Sequence, residues 1–158
     1  MSGISNHYDS IVAIQSVIGA LSLTGLTGGV VIQEVCEYLD GQQTLPFISI
    51  SPYGPEREGN ELNSQDGTYY GIAVCIVGKR SPTSLEQRLA WRQSIRRNLN
   101  NKSFSTLAAQ YSLTLSVSPL NYNLTVEPGN VVEPKAYFDR DAFVSGLVVR
   151  AWFQEPRQ

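Results

Sequence analysis

Apolar side chains recur at three- and four-residue spacing at Ile11, Ile14, Val17, Ile18 and Leu21, which places them on one face of a helix. Asn6, with Asp9 three positions later, suits the start of that helix: a side-chain oxygen and an early carboxylate both meet the free N–H groups of a first turn. Thr24-Gly25 and Gly28-Gly29 end it. The β-branched run Val30-Val31-Ile32-Gln33-Glu34-Val35-Cys36 predicts a strand, followed by a turn at Asp40-Gly41. In Leu45-Pro46-Phe47-Ile48-Ser49-Ile50-Ser51-Pro52, Phe47, Ser49 and Ser51 fall on one face of a short strand and Ile48 and Ile50 on the other. Its flanking prolines predict a sheet edge. Residues 52–66, rich in Gly, Pro, Asn, Ser and acids, predict a long loop, and residues 68–77 a long strand closed by Lys79-Arg80-Ser81-Pro82.

Thr83-Ser84-Leu85-Glu86 fits a capping box, with Pro82 just before or within the first turn, and predicts a second helix ending near Asn98. Further on, Leu113, Leu115 and Val117 alternate with Thr114, Ser116 and Ser118, and the period resumes at Tyr122 and Leu124, which predicts a half-buried strand interrupted at Pro119. Glu127-Pro128-Gly129-Asn130 predicts a turn. Residues 143–153 are apolar apart from Ser145, Gly146 and Arg150, as suits a strand near the middle of a sheet. Strands that cluster and mostly return through turns imply an α+β fold: a largely antiparallel sheet of about five strands with two helices packed on one face. The length, 158 residues, suits a single domain over residues 1–158 with a long loop at about 52–66.

Charged residues are 16% of the chain, below the roughly 25% of an average domain. With 12 Lys and Arg against 14 Asp and Glu the formal charge is −2, which offers no bulk attraction for phosphate backbones. Residues 10–33 carry no charge, but Gln15, Ser16, Ser22, Thr24 and Thr27 and four glycines interrupt the apolar run, so no membrane span is expected. The first residues lack the positive region of a signal peptide, which predicts a protein that stays in the cytosol where it is made. Cys36 and Cys75 stand in no C-x-x-C pattern; Cys75, inside the apolar run 71–77, is expected as a buried thiol, with a disulfide as the lesser alternative.

No pattern assembles a nucleophile, a base and an orienting group. His7, the single histidine, is expected ahead of the first helix as a bystander. Gly25-Leu26-Thr27-Gly28-Gly29 resembles a phosphate loop only loosely, because no Lys follows and a strand follows where a helix should. Asp139 and Asp141 could approach a divalent ion, but Arg140 between them competes and no third ligand is near. Neither catalytic residues, a cofactor nor a metal is therefore expected, and a binding or structural role is.

The charges are segregated. No Lys or Arg precedes Arg57, while Asp9, Glu34, Glu37 and Asp40 all do; from Lys79 to Lys102 seven bases face Glu86 alone. On a helical wheel Arg88, Arg92 and Arg96 form one row inside the arc of Leu85, Leu89, Ile95 and Leu99. Three arrangements fit: stems packed along the apolar face with the guanidinium groups reaching water, bidentate pairing with carboxylates of a neighbouring copy, or nucleic acid passing close to the row. A head-to-tail contact between an acidic and a basic surface repeats until it closes a ring. Arg88, Arg92 and Arg96, with Glu34, Glu37 and Asp40, are the candidate subunit-interface residues.

In its order of elements the chain resembles the tail terminator proteins of long-tailed bacteriophages and the related neck proteins that join head to tail. The resembling parts are the N-terminal helix ending near Leu23, the run from Leu45 to Pro52 quoted above, Arg88-Leu89-Ala90-Trp91-Arg92-Gln93-Ser94-Ile95-Arg96-Arg97, and Gly146-Leu147-Val148-Val149-Arg150-Ala151-Trp152-Phe153. The resemblance implies a virion protein of the neck, not an enzyme, that forms a homo-oligomeric, hexameric ring capping the tail tube. Its implied partners are the tail tube protein and the head connector or closure protein. Nucleic acid would be met only by passage through the ring, and the host cytoplasm would be the place of assembly. A different class of function is a small ligand-binding protein or enzyme with a pocket under the 52–66 loop, walled by Tyr53, Tyr69 or Tyr70; a host adaptor with no viral connection is another.

Overall fold

In the computed structural model, which describes residues 5–37, 43–54, 57–59, 65–79, 81–119, 121–128 and 142–156, the chain order is α1 (Asn6–Ala20), β1 (Val30–Ile32), β2 (Phe47–Pro52), β3 (Arg57–Gly59), β4 (Gln65–Lys79), α2 (Pro82–Leu99), α3 (Phe104–Tyr111), β5 (Thr125–Pro128) and β6 (Ala142–Pro156). The strands lie in the order β1-β2-β4-β6-β5, with β3 pairing on β4 off that path. All pairs are antiparallel except β1 with β2. The spine is the ladder between β4 and β6, in register from Gln65 opposite Pro156 to Lys79 opposite Ala142. The architecture is α+β, with the helices packed against the sheet.

Strand alternation sorts the core. Ile48 and Ile50 of β2, Tyr70, Ile72, Val74 and Ile76 of β4, and Leu147, Val149, Ala151 and Phe153 of β6 share one face and pack against all three helices. The helices contribute Ile11, Ile14, Val17 and Ile18 from α1, Trp91, Ile95 and Leu99 from α2, and Phe104 and Leu107 from α3. Each such side chain, taken out of water, stabilises the fold by about 1.5–3 kcal/mol. On the other face Phe47, Cys75, Val77, Ala142 and Val144 form a second cluster with Cys36. Farther along that face Trp152 packs on Tyr69 with ring centroids 4.5 Å apart, beneath Arg150.

Several local expectations are corrected. The helix caps are Ser5 and Ser81, whose hydroxyl oxygens accept from the N–H groups of Tyr8 and Ser84; Asn6 and Thr83 are not the caps. His7 lies within α1, not ahead of it. β2 is an interior strand flanked by β1 and β4, because its prolines fall at its ends and leave the ladder positions between them free to pair. β1 stops at Ile32, and within 52–66 the three residues of β3 return onto β4. Among the described residues there are three helices, not two: α3 is capped by the Ser103 hydroxyl, which accepts from the Thr106 N–H at 3.2 Å. The alternating residues 113–118 form no strand; Leu113, Leu115 and Val117 pack on the core without a ladder. Glu127 and Pro128 belong to β5 and not to a turn.

Candidate functional site

α2 buries Trp91, Ile95 and Leu99 against the sheet, so Leu85, Leu89, Gln93 and Arg96, one step around the helix, turn outward. Leu85 and Leu89 remain 46% and 54% exposed. Arg92 folds back over β6 and donates from one terminal nitrogen to Ser145 Oγ and to the Gly146 carbonyl, both at 2.7 Å. Burial, and then the neighbouring charges of Arg88 and Arg96, lower its pKa from the ordinary arginine value. Arg96 is exposed, and no carboxylate among the described residues pairs with it. Leu89, Arg92, Gln93 and Arg96 line, with Leu147 of β6, an open cleft of about 240 Å³. The row predicted from spacing is therefore divided: Arg92 is bound within the subunit, while Arg96 and the leucines face out.

The acidic residues sit off the end of the edge strand. Gln33 closes a tight turn, its Nε2 donating to the Glu37 carbonyl and its Oε1 accepting from the Glu37 N–H, each at 3.0 Å. The same oxygen accepts from Ser49 Oγ at 2.7 Å, and the Gln33 N–H donates to the Ile50 carbonyl. This bracket leaves Glu34, Val35 and Glu37 exposed, Val35 by 71%, with Cys36 turned inward. Asp40 lies outside the described residues, as do Asp139, Arg140 and Asp141. The basic row and the acidic turn lie on opposite faces of the sheet: Arg92 reaches Ser145 of β6 from the helix-covered face, whereas the 33–37 turn lays Cys36 against Phe47, Cys75 and Val144 on the other.

Other polar groups are engaged locally. His7 Nε2 is 2.8 Å from the Gly71 carbonyl, and its ring stacks on Tyr70. The Tyr70 hydroxyl and Asn6 Nδ2 both donate to Glu155 Oε1, tying the first turn of α1 to β6. Tyr69 and Tyr70 lie on opposite faces of β4 and do not wall one pocket. Gly25 and Gly29 adopt positive φ of 85° and 70° in the turn between α1 and β1, a conformation that glycine accepts without a Cβ clash. Beside it lies a cavity of about 450 Å³ lined by residues such as Gln15, Ile18, Leu26 and Val30. Among the described residues no group of three His, Cys, Asp or Glu could hold a metal, and no helix is long and apolar enough to cross a membrane.

Reasoning from spacing missed three contributors: Ser145, which receives Arg92 from 53 positions away; Gln33, which shapes the acidic turn; and Val35, its exposed apolar centre. Ser145 was visible only as a polar break in an apolar strand. Neither a scan of protein-family models nor a search of curated proteins finds a match to this chain.

Proposed function

We propose that this chain is a structural subunit that assembles head to tail with its own copies into a ring, as the tail terminator-like layer of a phage neck. In this reading the ring caps the tail tube and docks to the head connector, works without catalysis, and resides in the virion after assembly in the host cytoplasm. The observation that carries the reading is a pair of matched surfaces on opposite faces of the sheet: Leu85, Leu89 and Arg96 on α2, and Glu34, Val35 and Glu37 beyond β1. Each combines an apolar centre with charge of one sign, and the two signs are opposite. A contact between different patches of identical chains is heterologous, and it closes a ring when its rotation divides a full turn.

Light scattering and negative-stain microscopy of the full chain test this. Rings that loosen as salt screens the charged contact are the expected result. A monomer at high protein concentration, in low and moderate salt alike, would overturn it.

A further inference from the structure

Cys36 and Cys75 are 39 positions apart (75 − 36) and belong to one buried cluster, 8% and 2% exposed, with Phe47, Val77, Ala142 and Val144 around them. The Gln33 bracket explains how they meet. Gln33 ties the 33–37 turn to Ser49 of β2, and Ser49 stands directly opposite Cys75 in the ladder between β2 and β4. Cys36 is thereby laid on Cys75, and the two thiols are hydrogen-bonded to each other; that bond, with burial, raises the pKa of Cys75. Neither sulfur is in a disulfide. One lies on an irregular turn and the other on a central strand, so only the turn must move to admit a reagent.

We propose that Cys36 and Cys75 form a dithiol site that small-molecule disulfides oxidise to an intrachain disulfide. Cys36, on the turn and the more exposed of the two, loses its proton to solvent and attacks one sulfur of the reagent R–S–S–R. The reagent's S–S bond breaks, one RS⁻ leaves, and a Cys36–S–S–R mixed disulfide forms. Cys75 then gives up its proton and attacks the Cys36 sulfur, expelling the second RS⁻. The two thiolates released take up the two protons, so the protein is oxidised by two electrons and R–S–S–R is reduced to two RSH. The new bond staples the turn after the edge strand to the central strand.

The test uses the full chain and oxidised glutathione at pH 8, read by intact mass, peptide mapping and thermal melting. The expected product has lost about 2 Da, retains no glutathione and contains a linked peptide pair bearing Cys36 and Cys75. A closed loop of this length should raise the melting temperature by roughly 5–10 °C, and dithiothreitol should reverse the change. Gln33→Ala, which releases the turn but keeps both thiols, should slow closure about tenfold or more, so that the Cys36–glutathione adduct becomes visible. A lasting adduct in the unaltered protein, disulfide-linked dimers, or two thiols that remain reduced would each overturn the proposal.

Discussion

Arg92 of α2 donates to Ser145 Oγ of β6 at 2.7 Å and, from the same nitrogen, to the Gly146 carbonyl. One cation of the basic row is thus a strut inside the subunit. Arg92→Ala leaves the Ser145 hydroxyl and a carbonyl without their charged donor, and should cost about 1.5–3 kcal/mol of stability in chemical denaturation. Loss of assembly in that variant would report on the fold and not on the interface.

Arg96→Glu separates the two effects. Its side chain is exposed and has no ion-pair partner among the described residues, so stability should change by no more than about 0.5 kcal/mol. If α2 meets the acidic turn of a neighbour, the same change should abolish assembly at low salt. Glu34→Arg combined with Arg96→Glu should restore part of it, as light scattering would register.

At Gly71, β4 comes close to the backbone of Tyr53. The Gly71 carbonyl accepts from the Tyr53 N–H at 2.9 Å and lies 2.8 Å from His7 Nε2, and a Cβ added there would collide with the Tyr53 carbonyl. Gly71→Ala should therefore cost about 1–3 kcal/mol, measured as a fall in the denaturation midpoint with little change in slope.

The Tyr70 hydroxyl binds Glu155, which also receives Asn6. Tyr70→Phe keeps the buried ring and removes the hydroxyl; a loss of about 1–2 kcal/mol is expected. Hydrogen exchange should quicken first at the amides of the first two turns of α1, because that carboxylate ties them to β6.

The thiol pair makes stability fall in alkali. Cys75 has its pKa raised from an ordinary 9.0, first by its hydrogen bond to Cys36 and then by burial. In the unfolded chain the thiol ionises above that pH, whereas in the folded chain it stays protonated, so unfolding releases a proton. Stability is then fully present below pH 9.0 and declines above it, by at most about 1.4 kcal/mol per pH unit. Denaturation at pH 8 and pH 10 should show a smaller decline in Cys75→Ala than in the unaltered chain.

The elements that were legible in the sequence are those whose periodicity is backed by burial. α1, α2, β4 and β6 each carry an apolar stripe or run that ends inside the core. α3 was hidden because its eight residues span barely two turns, and the alternation of Leu113, Leu115 and Val117 beyond it imitates a strand. Those three side chains pack on the core while their backbone joins no ladder, and no pattern of apolar positions can reveal the absence of a partner. Edge or interior placement of β2 was likewise decided by what pairs with it, not by its own residues. At the candidate site, the basic row was readable from four-residue spacing. Its division was not, because the group that binds Arg92 belongs to a strand 53 positions away. Nor does spacing indicate that Gln33 bends the chain back at Glu37.

The long ladder between β4 and β6 also bears on the protein's life at the ribosome. Every rung joins residues at least 63 positions apart (Lys79 with Ala142) and up to 91 (Gln65 with Pro156), and among the described residues β5 pairs with β6 alone. Until β6 has emerged, a nascent chain holds β4 with one side open and β5 with no strand to pair on. Folding should therefore await nearly the whole described length. Slow elongation between β4 and β6 would prolong the interval in which open strands of neighbouring nascent chains can find one another.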